Sequence, residues 1–135
     1  MSIDQARITA ALSRRNFVTG VLGVAVAAAG TLALAGCVQP KPPVVPSAGS
    51  DVKPVVQITV VDNEYHPAEV TIRPGDAVEW IFQGHSADHD VVADDRSFVS
   101  ELMREGSYVH VFEKAGTFGY DCSIHPEMRG TITVS

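Results

Sequence analysis

The chain has 135 residues, with ten Lys and Arg against sixteen Asp and Glu and a formal net charge of −6. This length suffices for one domain, and the acidic balance argues against nucleic acid as a partner and against binding through basic patches. The same balance is compatible with a cationic protein partner or simply with solubility.

Residues 1–36 are typical of an export signal. Ser13-Arg-Arg-Asn-Phe-Val18 carries two adjacent arginines, and an apolar run follows from about Phe17 to Ala35. A basic start, an apolar middle and small residues at the end indicate a signal peptide, and the arginine pair resembles a twin-arginine signal. Leu34-Ala-Gly-Cys37 resembles a lipobox, in which the signal is cut before the Cys and its sulfur carries lipid. The alternative is an uncleaved membrane helix, because roughly 17–25 residues span a bilayer.

Both alternatives predict a domain tethered on the outer side of the cytoplasmic membrane, in the cell envelope. Two lipid chains on Cys37 would suffice for stable anchoring. Loss of the leader, with its three arginines and one aspartate, would leave seven basic and fifteen acidic side chains, or about −8. Cys122 would then be a lone thiol in an oxidising compartment, which favours burial or metal binding. A disulfide between Cys37 and Cys122 stays open only if the lipobox interpretation fails.

Residues 37–54 are rich in proline and small side chains. Such a composition predicts an extended, semi-rigid tether without a core of its own. At about 3 Å per residue in its proline-rich part, it would hold the domain some tens of Å from the bilayer.

Residues 55–135 contain short alternating or β-branched segments separated by Gly and Pro. Seven or eight such strands in a small domain predict an all-β Greek-key sandwich. Only 97–104 is compatible with a short helix. The predicted strands cover residues 55–61, 69–73, 76–82, 90–93, 107–112, 117–120 and 130–134.

The segment between the last two predicted strands collects three metal-binding side chains. Cys122, His125 and Met128 are separated by two residues each. Zinc sites rarely use thioether, and calcium or magnesium requires oxygen. Copper accepts all three side chains, most commonly as two His and one Cys with a weak axial Met. The pattern therefore predicts a copper site that needs one more histidine.

His89 is the favoured fourth ligand among the five histidines. It directly precedes the predicted strand 90–93, so it would lie close to Cys122 if that strand neighbours 117–120. His85, in a polar segment, is the alternative and is expected to be solvated. His66 and His110 are expected to be structural or exposed.

The span from Tyr65 to Val134 resembles the cupredoxins, and among them the amicyanin-like and plastocyanin-like proteins. The residues that carry the resemblance are Pro74-Gly-Asp76, His89-Asp-Val91, Gly116-Thr-Phe-Gly-Tyr-Asp-Cys122 and Cys122-Ser-Ile-His-Pro-Glu-Met-Arg-Gly130. The short spacing from Cys to His to Met is that of amicyanin. The resemblance implies one type 1 copper ion, cycling between Cu(I) and Cu(II), on His89, Cys122, His125 and Met128.

The chain departs from the family pattern at Asp90, where the family usually has Asn. We expect Asp90 to accept hydrogen bonds from the Ser123 hydroxyl or nearby amides, as Asn does when it ties the two ligand segments together. Its negative charge is also expected to stabilise Cu(II) and lower the reduction potential, unless solvent or Arg129 screens it.

The resemblance implies a monomeric electron carrier rather than an enzyme, since a full ligand set leaves no open position for substrate. His125 would be the electron port. Separately from the resemblance, acidic residues could steer a basic partner such as a cytochrome or a dehydrogenase, although a solvated face without a docking role is the favoured interpretation; these residues are Asp94, Asp95, Glu101 and Glu105. A protein that binds or delivers copper without a redox partner is the alternative. A copper oxidoreductase is disfavoured, because neither a second copper segment nor a Cys-x3-Cys motif is present.

Overall fold

The computed structural model describes residues 40–135 and confirms the all-β prediction. Eight strands run in chain order: β1 (Val56–Val61), β2 (Glu64–His66), β3 (Glu69–Ile72), β4 (Ala77–Gln83), β5 (Val92–Ala93), β6 (Glu105–Val111), β7 (Gly116–Asp121) and β8 (Arg129–Val134). The proposed leader, 1–36, and Cys37 lie outside the described residues, so their assignments stay predictions. Within 40–135, no helix is long and apolar enough to cross a bilayer.

The strands form two four-stranded sheets, in the orders β2-β1-β4-β6 and β3-β8-β7-β5. Each sheet is mixed, because β1 pairs with β4 in parallel and β3 pairs with β8 in parallel. In the second sheet, β7 lies between β8 and β5 and pairs with both in antiparallel fashion. This arrangement brings together the chain segments that carry the predicted metal ligands.

Alternation along the strands places one face of each sheet in the common core. In β4, Val78, Trp80 and Phe82 are buried, and Ile58 and Val60 of β1 lie beside them. An aromatic cluster fills the centre: the ring centroid of Trp80 lies 5.4–6.5 Å from those of four other rings, namely Phe98, Tyr108, Phe112 and Tyr120. This aromatic packing joins the two sheets and holds the ends of their strands in fixed positions.

The short helix considered for 97–104 is wrong. This stretch is extended and forms isolated β-bridges, Val92 with Val99 and His89 with Met103. Its backbone forms hydrogen bonds with the segment around β5: Ala93 N donates to Phe98 O, and Ser100 N donates to Val91 O. Phe98, Val99 and Ser100 are consecutive and all buried, a pattern that an amphipathic helix on a sheet surface does not show.

Strand β2 was not predicted from the sequence. It forms a hairpin with β1 through Asp62 and Asn63, whose φ angles are 50° and 62°. Asp and Asn tolerate this left-handed conformation, which two-residue hairpin turns require. The Asp-Asn pair was therefore the available signal for the hairpin.

The described part of the predicted tether, residues 40–54, does not stand free of the domain. Val45 N donates to Val99 O at 2.9 Å, and Ala48 N donates to Val109 O at 2.8 Å. The Ser47 hydroxyl also accepts from Val109 N at 2.9 Å. The segment is extended, as its prolines predict, but it lies along the sandwich because its amides find partners there. The expected spacing of the domain from a membrane stays a prediction.

Candidate metal centre

Cys122, His125 and Met128 lie on a loop that is closed at both ends by sheet pairing. Asp121 of β7 is paired with Arg129 of β8, so residues 122–128 form the whole connection. Inside it, Cys122 N donates to Met128 O at 3.2 Å, and Met128 N donates to His125 O at 2.9 Å. These bonds fold the loop back on itself and hold the three side chains on one compact turn.

His89 reaches this loop because β5 pairs with β7. The register places Val92 opposite Asp121, so the chain before β5 lies beside the chain that follows β7. The backbone of His89 is also fixed by two hydrogen bonds with Met103, each of 2.9 Å. The His89 side chain is buried, with 1% exposure. The neighbouring strands that the sequence argument required are therefore present.

Three candidate ligand atoms converge. The Cys122 Sγ lies 3.9 Å from the Nδ1 of His89 and 3.8 Å from the Nδ1 of His125. With metal bonds of about 2.3 Å to sulfur and about 2.0 Å to nitrogen, a trigonal centre requires a sulfur–nitrogen separation of about 3.7 Å, and a tetrahedral one about 3.5 Å. The observed spacing is closer to the trigonal value. It fits the two-His, one-Cys plane of a blue-copper site.

Met128 completes the soft donor set. Its side chain is 2% exposed and belongs to the core cluster that also contains Cys122. Its backbone is tied to both His125 and Cys122. A buried thioether on this loop suits the weak axial position of a copper site and has no role in a typical zinc site.

Burial controls the protonation of two of these groups in the absence of metal. Burial lowers the pKa of His89, and the neighbouring His125 lowers it further, against the opposite influence of Asp90 and Asp88. His89 is thus favoured as the neutral ligand form. Burial also raises the pKa of the Cys122 thiol. A metal that binds there must displace the thiol proton, so metal uptake releases protons.

Asp90 ties the two ligand-bearing segments together. Its carboxylate accepts from Ser123 N at 2.7 Å and from Ser123 Oγ at 2.6 Å. The Tyr65 hydroxyl donates to the Asp90 carbonyl at 2.5 Å. Asp90 is fully buried, so the hydrogen bonds expected from the sequence are present and shielded from water. Arg129, the screening partner considered from the sequence, instead lies 3.7 Å from Asp121.

The remaining histidines lie elsewhere. His85 and His66 are exposed. His110 is half-buried, with its ring 5.1 Å from Phe98 and 4.9 Å from Phe112. Among residues 40–135, His89, Cys122 and His125 form the one group of His, Cys, Asp or Glu side chains close enough to share a metal ion.

Sequence reasoning missed two residues that border the site. Lys41 Nζ lies 2.5 Å from the Asp90 carboxylate, and Tyr65 holds the Asp90 carbonyl. Tyr65 lies in β2, the strand that was not recognised from the sequence. Lys41 sits among prolines and had no local pattern to mark it. Only a search for a cation to pair with a buried Asp could have suggested it.

The arrangement defines a β-sandwich metalloprotein with a mixed imidazole, thiolate and thioether site at one end of the sheets. The family model for the cupredoxin-like domain matches residues 24–134. The chain belongs to this cupredoxin-like family. Cupredoxins bind one copper ion, and His89, Cys122, His125 and Met128 form a possible type 1 copper site here.

Relatives of known identity agree with this assignment. The chain is 32% identical to amicyanin from Paracoccus versutus over 96 residues, covering 66% of this chain and 72% of the relative. It is 33% identical to plastocyanin from Scenedesmus fuscus over 84 residues, covering 52% and 85%. The solved structure of a novel purple cupredoxin from Nitrosopumilus maritimus matches with a TM-score of 0.56 and 29% identity, over 59% of this chain and 99% of that one.

Proposed function

We propose that this protein is a single-electron carrier with one type 1 copper centre, and not an enzyme. The observation that carries the proposal is the convergence of the His89 and His125 Nδ1 atoms on the Cys122 sulfur at 3.9 and 3.8 Å. When bound, copper supplies one-electron exchange between its Cu(I) and Cu(II) states.

The chain's contribution is a donor set whose positions are fixed before metal arrives. Cu(I) and Cu(II) prefer different geometries, so ligands that could move would rearrange with each electron. Here Cys122 and Met128 adjoin paired strands, and His89 is bridged to Met103. Their side chains are buried among packed residues. Such anchoring keeps rearrangement small, which supports a carrier rather than a protein that releases its metal.

His125 is the proposed electron port. It is less buried than His89 and Cys122, and its neighbours Ile124 and Pro126 are exposed, Ile124 by 48%. Transfer partners bind weakly over small areas, and an apolar surface around a half-exposed ligand suits such brief contact. Met128 does not contribute to this surface, because it is buried.

We further propose that a basic redox protein, such as a cytochrome or a dehydrogenase, is the partner, and that the carrier itself is a monomer. Asp94, Asp95, Glu101 and Glu105 are all exposed. Their charge supports steering of a cationic surface, which would make association slower as salt increases.

We also propose that the protein works in the cell envelope as a lipid-anchored, exported protein. The support is the sequence of residues 1–37, with its arginine pair, apolar run and Leu34-Ala-Gly-Cys37. Mass spectrometry of the membrane-extracted protein tests this: a mature chain that starts at a lipid-modified Cys37 is expected. An unmodified chain that begins at Met1 would reject the lipoprotein proposal.

Absorption spectroscopy of the full chain in detergent tests the carrier function. Adding Cu(II) is expected to give an intense blue colour that a reductant removes and an oxidant restores through several cycles. The Cys122→Ser variant is the matched control and should stay without that colour. A colourless wild-type protein that binds mainly Cu(I) would instead indicate copper delivery.

A further inference from the structure

Lys41, outside the predicted sandwich, reaches the interior beside the candidate copper ligands. Its Nζ lies 2.5 Å from Asp90 Oδ2, and the two side chains are 26% and 0% exposed. Asp90 follows the candidate ligand His89 directly in the chain. A cation contributed by the segment before the first strand therefore compensates a carboxylate that water does not reach.

The backbone around Lys41 is held so that this contact can persist. Three hydrogen bonds fix the following residues: Val45 N to Val99 O, Ala48 N to Val109 O, and Val109 N to Ser47 Oγ. Pro40 and Pro42 flank Lys41 and restrict its backbone. Lys41 also lines the same open depression as Cys122 and Ser123. We call residues 40–48 the strap.

Asp90 joins three parts of the chain through one carboxylate. It accepts from Ser123 N and Ser123 Oγ on the ligand loop, residues 122–128, and pairs with Lys41 on the strap. A fully buried carboxylate without a cation is strongly unfavourable, and removing one member of such a pair leaves an uncompensated charge. The Ser123 bonds alone supply no positive charge, so Lys41 is the compensating group among the described residues.

We infer, on the premise of the proposed electron-carrier function, that Lys41 is a positioning residue of the copper centre: it neutralises Asp90 beside the ligands and fastens the strap to the ligand loop. With Lys41 in place, the Asp90 charge stabilises Cu(II) only weakly. Without Lys41, the uncompensated charge favours Cu(II), so the reduction potential falls. The strap thereby couples the chain before β1 to the proposed redox site.

The reduction potential of the copper-loaded full chain, measured at pH 8, tests the electrostatic part. Lys41→Gln is expected to shift the Cu(II)-to-Cu(I) affinity ratio at least about threefold toward Cu(II), which is roughly 30 mV on the one-electron scale of about 59 mV per tenfold change. Lys41→Arg should restore the wild-type potential. In an Asp90→Asn background, Lys41→Gln should shift the potential less, because the buried carboxylate is gone.

Lys53→Gln is the matched control, because Lys53 is an exposed lysine that, like Lys41, precedes β1. Within residues 40–135, Lys53 forms no ion pair. If Lys41→Gln and Lys53→Gln give the same potential, the inference is overturned. Failure of the proposed function has a different signature, because the unmodified chain would then show no blue colour with Cu(II).

Hydrogen exchange on the metal-free full chain supplies a readout that does not depend on copper. Faster exchange of the Val45 and Ser123 amides is expected in both Lys41→Gln and Asp90→Asn, and not in Lys53→Gln. Exchange that is unchanged in Lys41→Gln would show that the strap is not fastened through this pair and would reject the positioning role.

Discussion

The Cys122 Sγ lies 3.9 Å from the Nδ1 of His89, although 33 positions separate the two residues. The antiparallel pairing of β5 with β7 produces this proximity, because it brings the start of one strand to the end of the other. The contact is therefore a property of the sheet and exists without metal. A centre that is assembled by the fold needs little rearrangement when its charge changes.

Copper should stabilise the folded chain, and Cys122→Ser should remove that stabilisation. A ligand present at a thousand times its dissociation constant for the native state adds about 4 kcal/mol to the free energy of unfolding. Copper binding should depend strongly on Cys122, because its thiolate is the anionic donor of the buried site. Thermal unfolding with and without Cu(II) measures the effect. A copper-dependent rise in Tm that survives in Cys122→Ser would contradict the assignment of Cys122.

Met128→Leu should retain the thiolate-dependent colour and raise the reduction potential. The substitution conserves buried volume, so the loop should keep its shape at a cost below about 1.5 kcal/mol. Losing a weak axial donor disfavours Cu(II) more than Cu(I). Spectroscopy and potentiometry on the same sample check both parts. An unchanged potential would show that the Met128 sulfur does not interact with the metal.

His110 should make the stability of the copper-loaded protein depend on pH. Burial lowers the pKa of His110 in the folded state, and Asp95 opposes the shift. The pKa of a histidine in the unfolded chain is about 6.5, so below that pH the unfolded chain binds a proton at His110 more readily than the folded chain does. Stability should therefore be full above that value and decline as the pH falls through it toward the folded pKa.

Denaturant unfolding at pH 7.5 and pH 5 measures this contribution of His110. The decrease in the free energy of unfolding from pH 7.5 to pH 5 should be smaller in His110→Gln than in the wild type. A packing cost of the substitution lowers stability at both pH values and cancels in this difference. His66→Gln, which alters an exposed histidine, is the control and should leave the loss unchanged. Equal pH dependence in the wild type and His110→Gln would contradict the prediction.

Gly130→Ala should destabilise the sandwich by about 1–3 kcal/mol, as expected for an overpacked interior. A Cβ at Gly130 would overlap the ring of Tyr120, its cross-strand neighbour. Tyr120 cannot yield easily, because its ring packs 4.7 Å from Tyr65 and 5.5 Å from Trp80.

Gly49→Ala is the matched control for this substitution. A Cβ there has no atom within 4 Å, so the free energy of unfolding should change little. Chemical denaturation of both variants is the measurement. A Gly130→Ala protein as stable as Gly49→Ala would show that the sheet opens to accept the methyl group.

Much of the fold followed from local patterns. Alternation in β4 and the β-branched run in β1 marked buried strands, and the regular spacing of turns indicated a sandwich. Residues 97–104 were harder, because Phe98, Val99 and Ser100 are buried together by contacts with distant strands. No local periodicity reports such contacts, and the same holds for the packing of residues 40–54 along the sandwich.

The sequence alone determined the donor types, because a thiol, an imidazole and a thioether at short spacing have few common uses besides copper. It also determined the acidic balance and the strand-rich character of residues 55–135. Tertiary structure decided how the donors meet, since pairing of β5 with β7 sets the distance from His89 to Cys122. It also decided the surroundings of Asp90, because folding brings Lys41, which is distant in the sequence, into contact with the Asp90 carboxylate. Electrostatic compensation acts through space, and spacing along the sequence does not encode it.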